Sequence, residues 1–240
     1  VTERILPFPG WTTPGVIGLA ASTNLLKSQQ ILPSREPVIA GSGPLLYAVA
    51  NAIIVAGGKP VAIADVGSLF DWVVSLPKLF AAPALLIRGL IWRARIFKAR
   101  ITVLHRHHVA RVYGDDKVES IELMPIDANG TPLPKKKNIK IKSTSLIVGH
   151  GLIPSLEITR LLKAKHVFRA ERGGWIPELD AFQRTSVSGL YVAGDCGGIS
   201  GAKTAALSGT IAGLQASFDS GMITEKIFQE TWDVHGWAMC

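Results

Sequence analysis

The sequence predicts an α/β protein built on a parallel sheet, and three segments in its first third carry the prediction. The mostly apolar segment Glu36–Ala40 has the length of a short buried strand, and Pro44–Ala56 has the length and apolar content of a buried helix. Gly57-Gly58 ends that helix, and Val61–Ala64 predicts a second strand that closes at Asp65. Strand, glycine turn, helix and strand form one βαβ unit, whose crossover makes the two strands parallel.

The composition supports a folded protein with a substantial core. The chain has 240 residues, of which 48% are hydrophobic and 18% are charged, and this length allows one large domain or two modest ones. Its 24 glycines cluster at turns that follow apolar runs. Such turns suit an α/β protein whose backbone approaches a ligand closely.

The formal net charge of +8 raises the question of an anionic partner. The positive charge is spread over residues 88–111, 135–142 and 163–172, without a recognised nucleic-acid motif. We therefore expect solvated faces and attraction for phosphate, and no nucleic-acid partner. The two cysteines, Cys196 and Cys240, form no CxxC pair, which predicts a cytoplasmic protein without an internal redox disulfide.

Two apolar stretches resemble membrane spans at first sight. Residues 38–58 carry no charge, yet they include turn glycines and Asn51, while residues 79–92 are short and contain Arg88. We expect neither a transmembrane helix nor a signal peptide. Peripheral contact with a membrane remains open.

Periodicity and turn residues predict the other elements. Helices are predicted over Thr13–Leu26, Asp71–Ala99 (broken at its prolines), Ser155–Leu162 and Gly201–Ser217, and strands over Ile101–Leu104, Val109–Tyr113, Val118–Leu123, Asn138–Val148 and Leu190–Ala193. Because strong turn formers separate the three strands between residues 109 and 148, we expect an antiparallel β-meander there. Together these elements predict a Rossmann-like three-layer fold.

The best candidate site is the turn Gly41-Ser42-Gly43, which joins the first strand to the helix at Pro44. The first glycine permits a tight turn, and the second lets the backbone approach a pyrophosphate at the helix N-terminus. Asp65 follows Gly41 by 24 residues, where a carboxylate accepts bonds from an adenosine ribose and repels a 2′-phosphate. Leu46 occupies the third glycine position, so a Rossmann-like unit that no longer binds its dinucleotide is the alternative.

A second candidate is Gly194-Asp195, which ends a predicted strand and precedes a helix rich in small residues. An aspartate there binds a sugar-alcohol hydroxyl while the helix N-terminus faces phosphate or ring oxygens. The alternative is an ordinary helix cap.

Three histidines, His105, His107 and His108, lie close together in the sequence. On a single strand the first two share one face and the third points to the other. Without a carboxylate or cysteine at ligand spacing, we predict no metal site.

The order of four motifs resembles the pyridine nucleotide-disulfide oxidoreductase type of flavoprotein, which has two dinucleotide-binding domains. The motifs are Glu3 with Phe8-Pro9-Gly10, then Gly41-Ser42-Gly43, then Gly151–Pro154, and finally Gly189–Asp195. The resemblance implies that the middle glycine motif binds NAD(P) or another adenine nucleotide, and that the late Gly-Asp contacts the ribityl chain of FAD. The candidate cofactor-binding residues are therefore Gly41, Ser42, Gly43, Pro44, Asp65, Gly151, Gly194, Asp195 and Cys196, the last as a small residue near the flavin. No catalytic residue is assigned.

Within that family, the segments Leu6–Trp11, Ala40–Leu46 and Gly194–Ala206 resemble the flavoprotein subunits of opine oxidase, hydrogen cyanide synthase and dye-linked proline or hydroxyproline dehydrogenase. This implies an FAD-dependent subunit that oxidises an amine, amino acid or opine, passes electrons to an acceptor and works with a second flavoprotein subunit. Two alternatives stay open: an NAD(P)H-dependent flavin reductase, and a non-catalytic subunit that binds an adenine nucleotide.

The resemblance also implies how the chain is divided. Residues 29–149 correspond to the NAD(P)-type domain, and residues 1–28 and 150–240 to the remaining part of an FAD-binding domain. In the family a first glycine-rich unit precedes the segment where this chain starts, so we expect an incomplete FAD domain and an inactive isolated chain. Cys240 is interpreted as a plain thiol, with the first cysteine of an iron–sulfur segment as the alternative.

Overall fold

The computed structural model describes residues 1–68 and 83–235. The chain divides into two compact units. The sheet unit is Glu3–Gly151, and the hairpin unit consists of Val1–Thr2 and Leu152–Cys240, described up to residue 235.

The elements from the N-terminus through the sheet unit are β1 (Thr2–Glu3), β2 (Val16–Gly18), α1 (Leu19–Ser28), β3 (Val38–Gly41), α2 (Pro44–Val55), β4 (Ala62–Asp65), α3 (Pro83–Lys98), β5 (Thr102–His105), β6 (His107–Tyr113), β7 (Ser120–Pro125), β8 (Ile139–Lys142) and β9 (Leu146–Gly149). Five strands form a parallel sheet in the order β2-β9-β3-β4-β5, and β6-β7-β8 form an antiparallel sheet. The predicted α/β fold with its βαβ unit and meander is confirmed.

Alternation along the parallel strands creates three layers. Ile39, Ile63 and Ile147 point to one face and pack with residues of α1, α2 and α3. Their neighbours Val38 and Leu146 point to the other face and pack against the meander. Because both faces are covered, the strands are apolar throughout, as is usual for a parallel sheet.

The predicted helix over Thr13–Leu26 is wrong in its first half. Val16 and Ile17 belong to β2, which pairs in parallel with β9, and the helix begins only at Leu19. Both residues are β-branched, which favours a strand wherever a neighbouring strand supplies hydrogen bonds.

The single strand predicted over Asn138–Val148 is also wrong, because the segment contains two strands in different sheets. β8 ends at Lys142, and β9 starts at Leu146 in the parallel sheet. Between them, the Ser143 hydroxyl donates to the carbonyl oxygens of Glu36 and Ser145. These side-chain hydrogen bonds, instead of strand pairing, hold residues 143–145 between β8 and β9.

The predicted helix over Asp71–Ala99 is found as α3 from Pro83 onward, while residues 71–82 lie outside the described part. The three histidines do not share one strand. Arg106, with a φ of 56°, ends β5 after His105, and His107 starts β6. No helix among the described residues has the length and apolar character needed to cross a membrane.

The hairpin unit contains β10 (Leu152–Ile153), α4 (Glu157–Leu161), β11 (His166–Arg169), β12 (Gly174–Pro177), α5 (Ala202–Asp219) and α6 (Glu225–His235). β11 and β12 pair antiparallel, β10 pairs with β1, and Phe182, Phe218, Phe228 and Trp232 pack ring against ring. The predicted helix over Gly201–Ser217 is confirmed as α5.

The strand predicted over Leu190–Ala193 is not formed. Among the described residues its ladder is a single bridge, from Tyr191 to Arg184. The backbone N–H and C=O groups of a strand pair with a neighbouring strand along its length, and a single bridge pairs too few of them. Side chains hold the segment instead: Arg184 binds both carboxylate oxygens of Asp219, and the Tyr191 hydroxyl donates to the same carboxylate, which lowers the pKa of Asp219 to about 2.

Candidate cofactor-binding sites

The first of the predicted cofactor-binding residues lie together at the carboxyl edge of the parallel sheet. The strand register places Gly149, Gly41, Asp65 and His105 side by side at the ends of β9, β3, β4 and β5. Ligands of open parallel sheets bind beyond this edge. The sequence-predicted turn therefore lies where a nucleotide would be expected.

Gly41 is fixed by its close contact with the neighbouring strand. Its φ is 147°, and a Cβ atom there would overlap the carbonyl oxygen of Gly149. The N–H of Ser42 donates to that same oxygen over 3.1 Å. Only glycine allows β3 to turn at this point.

Gly43 and Pro44 present the start of α2 to solvent. Gly43 has a φ of 85°, and no atom would lie within 4 Å of a Cβ there, so space for a ligand is open in front of the turn. Pro44 is the first helical residue, and no side chain caps the helix. The uncapped first turn and the helix dipole suit a phosphate.

Asp65 stands at the predicted place, but its carboxylate already has partners. The Tyr47 hydroxyl donates to Oδ2 over 2.6 Å, and the N–H of Gly67 donates to Oδ1 over 2.8 Å. Asp65 is only 2% exposed. The carboxylate is therefore buried and already accepts from two donors, and its role as a ribose acceptor stays a prediction.

Tyr47 is the functional residue that the sequence patterns missed. It follows the buried Leu46 on α2, and its ring lies under the Arg93 guanidinium at 5.9 Å. Burial, and then the bond to Asp65, raise the pKa of Tyr47 well above its ordinary value. The hydroxyl therefore stays protonated and remains a donor. The available signal was the Tyr47 hydroxyl on a helix whose only other polar side chain is that of Asn51.

Gly151 lies two residues beyond β9, at the end of the sheet unit. It is exposed, its φ is 93°, and its carbonyl oxygen accepts from the N–H of Arg4. Beside it, His150 lines a cavity of about 320 Å³ together with Arg4, Phe8 and Trp11. The Glu3 carboxylate, at the same cavity, accepts from the N–H of Ala20 at the start of α1.

We expect His150 to make the stability of the chain pH-dependent. Burial, then the charges of His108 and Arg4, lower the pKa of His150 below its ordinary value of 6.5. Its contribution is therefore complete above that value and is lost as the pH falls through it, because the unfolded chain takes up the proton first. Urea denaturation between about pH 7.5 and about pH 5.5 should show this loss. In His150→Asn the loss should be smaller, and an unchanged pH slope would contradict this account.

The second predicted group lies in the hairpin unit. Gly194–Gly197 form a 3-10 turn in which Gly194 has a φ of 68° and donates its N–H to the Ser208 hydroxyl on α5. The half-buried Asp195 accepts from the N–H of Ser200. Cys196 is half-buried in the same turn.

A cavity of about 490 Å³ opens at this turn. Its lining includes Gly194, Gly197, Gly198, Arg169, Arg172 and Thr204. α5 begins at Ala202 without a side-chain cap and without an acidic residue in its first turn. Glu178 and Asp180 also line the cavity and offset the two arginines, so the glycine backbone and the uncapped helix start are what fit an anionic cofactor such as part of FAD.

The structure thus places Gly41, Ser42, Gly43, Pro44, Asp65 and Gly151 in the sheet unit, and Gly194, Asp195 and Cys196 in the hairpin unit. Within the described residues, no three His, Cys, Asp or Glu side chains lie close enough together to hold a metal ion.

Residues 4–210 match the family model described as pyridine nucleotide-disulphide oxidoreductase. The chain belongs to this family. The resemblance predicted from motif order is confirmed, and the family binds FAD and NAD(P).

Two curated relatives are similar to the chain over most of its length. The chain is 30% identical over 224 residues to the HcnB component of hydrogen cyanide synthase from Pseudomonas protegens, which covers 93% of the chain and 47% of that protein. It is 31% identical over 225 residues to an opine oxidase subunit from Rhizobium meliloti, which covers 92% of the chain and 41% of that protein. The chain therefore spans about half the length of these relatives.

Solved structures agree on the fold. L-proline dehydrogenase from P. horikoshii matches with a TM-score of 0.58 at 21% identity, over 96% of this chain and 35% of that one. Thioredoxin reductase from T. acidophilum matches with a TM-score of 0.64 at 20% identity, over 91% of this chain and 63% of that one.

Proposed function

We propose that the protein is part of an FAD-dependent oxidoreductase that oxidises an amine, amino acid or opine and passes the electrons to an acceptor. The relatives named for hydrogen cyanide synthase and opine oxidase support this substrate class. The observation that carries it within the fold is the cavity at Gly194, where glycine backbone and the uncapped start of α5 offer a place for part of FAD.

FAD would be held partly by the hairpin unit. Asp195 would accept a hydroxyl of the ribityl chain, the start of α5 would face phosphate or ring oxygens, and Cys196 would pack nearby as a small side chain. Arg169 and Arg172 line the same cavity, together with the acidic Glu178 and Asp180. The bound flavin supplies the hydride acceptor, and the protein groups position it and its substrate.

The domain assignment follows as part of the proposal. Residues 29–149 would form the NAD(P)-type domain, and residues 1–28 and 150–240 would contribute to the FAD-binding part of the complete protein. A second flavoprotein subunit is the proposed partner, since the relatives are themselves named as subunits. The cytoplasmic location stays a prediction.

A second candidate has its own supporting observation. The Gly41–Pro44 turn keeps an open, uncapped helix start for phosphate, although Asp65 is occupied. A nucleotide held mainly through its phosphates, without hydride transfer, fits that combination. The protein would then be a non-catalytic subunit whose Gly41–Pro44 turn binds an adenine nucleotide.

The test is anaerobic flavin reduction in the complete protein, purified together with its partner subunits. We expect an amino acid or an opine to bleach the flavin absorbance, and NADH to leave it unchanged. Rapid bleaching by NADH alone would favour the NAD(P)H-dependent reductase. A complex without flavin in this subunit would overturn the oxidoreductase proposal and leave the structural nucleotide site.

A further inference from the structure

Helix α3 exposes an apolar face that the described residues of the sheet unit leave uncovered. Ile87 is 57% exposed, Leu90 59% and Phe97 84%, and Ile91 is also exposed. With about 3.6 residues per turn, these positions fall on one side of the helix. A contiguous exposed apolar face on a folded unit marks a surface that binds something.

The opposite side of α3 is firmly attached. Ile96 is buried in the core below the sheet, and Trp92 packs against the same core. The Arg95 guanidinium donates to the Asn51 side chain on α2 over 3.0 Å. The exposed face therefore has a fixed direction, away from the sheet.

Helix α3 itself carries charge of a single sign. Its residues 83–98 include Arg88, Arg93, Arg95 and Lys98 and no acidic residue. Arg88 and Lys98 are exposed on the helix that carries the apolar face. An anionic lipid surface matches both features at once, since its headgroups neutralise the cations and its acyl region accepts the apolar side chains.

We infer that α3 lies in the surface of a membrane that contains anionic lipid. Ile87, Leu90, Ile91 and Phe97 enter the boundary between headgroups and acyl chains, and Arg88 and Lys98 bind lipid phosphates. A helix with apolar side chains on one face and only basic charges beside them is the type that lies in this plane. The helix rests on the surface, since it is not long and apolar enough to span.

The test uses the complete protein with its partner subunits and two kinds of vesicle, phosphatidylcholine alone and equal parts phosphatidylcholine and phosphatidylglycerol. We expect sedimentation with the anionic vesicles, weakened by salt, and little with the neutral ones. Leu90→Ser with Phe97→Ser should lower partition by about a hundredfold. Arg88→Gln with Lys98→Gln should lower it by about twenty-five-fold, since each cation near the surface contributes about fivefold.

Matched controls separate this face from general effects. Leu161→Ser removes an apolar side chain that is 81% exposed in the hairpin unit, and Lys135→Gln with Lys137→Gln removes two exposed cations elsewhere. Both should leave partition unchanged. Circular dichroism and flavin content of each variant show that the fold is kept. The lipid proposal is overturned if the α3 variants bind vesicles as well as the parent does. It is also overturned if the parent binds no vesicles and the α3 variants lose a partner subunit, which would assign the face to that subunit.

Discussion

Replacing Gly41 by alanine should destabilise the sheet unit by about 3–5 kcal/mol, the sum of backbone strain and overpacking. Gly41 has a φ of 147°, and an added Cβ would overlap the carbonyl oxygen of Gly149 on the paired strand. That oxygen also accepts the N–H of Ser42, so any shift that relieves the overlap breaks this bond. Urea denaturation of the purified chain measures the loss.

Gly43→Ala is the matched control. Gly43 has a φ of 85°, but nothing lies within 4 Å of the position of its added Cβ. Only the backbone conformation is penalised, since a φ of 85° with a ψ of 178° is essentially restricted to glycine, and this costs about 1–3 kcal/mol. Equal losses for the two variants would show that the contact with Gly149 does not decide the geometry of the turn.

Removing the hydroxyl of Tyr47 should cost about 2 kcal/mol of unfolding free energy, the scale of a bond to a buried charged group. Tyr47→Phe keeps the ring in the core but leaves Oδ2 of the buried Asp65 without its donor at 2.6 Å. Nδ1 of His105 lies 3.8 Å from the same oxygen, beyond hydrogen-bond distance. Denaturation near neutral pH, compared with the parent chain, gives the difference.

Tyr113→Phe provides the comparison at the surface, because the Tyr113 hydroxyl also donates to a carboxylate, that of Glu122, but in contact with solvent. We expect a much smaller effect there. A loss as large as that of Tyr47→Phe would mean that burial does not strengthen the bond between Tyr47 and Asp65.

The cost of Tyr47→Phe should also depend on pH. The pKa of Tyr47 is raised above its ordinary value of 10.0, mainly by burial. The stabilisation is therefore complete below pH 10 and is lost as the pH rises, because the unfolded chain releases the proton first. The difference between parent and variant should shrink above that pH. A constant difference would contradict this description of the pair.

Local sequence patterns determined the βαβ unit and its turn. Gly41 and Gly43 are required by backbone conformation and close approach, which are short-range constraints, and the meander was visible through its turn formers. The positions of Gly194 and Asp195 before α5 followed in the same way. These features depend on residues near one another in the chain, so the sequence by itself was enough.

Only the tertiary structure decided the features that depend on distant partners. Val16–Gly18 became a strand because β9 lies beside it, and residues 138–148 split because Lys142 and Leu146 pair with different sheets. Leu190–Ala193 did not form the predicted strand because, among the described residues, it pairs only through the bridge from Tyr191 to Arg184. The buried hydrogen bond between Tyr47 on α2 and Asp65 on β4 was likewise not predicted. A hydrogen bond between residues on two elements has no signature in local periodicity, and packing alone creates it.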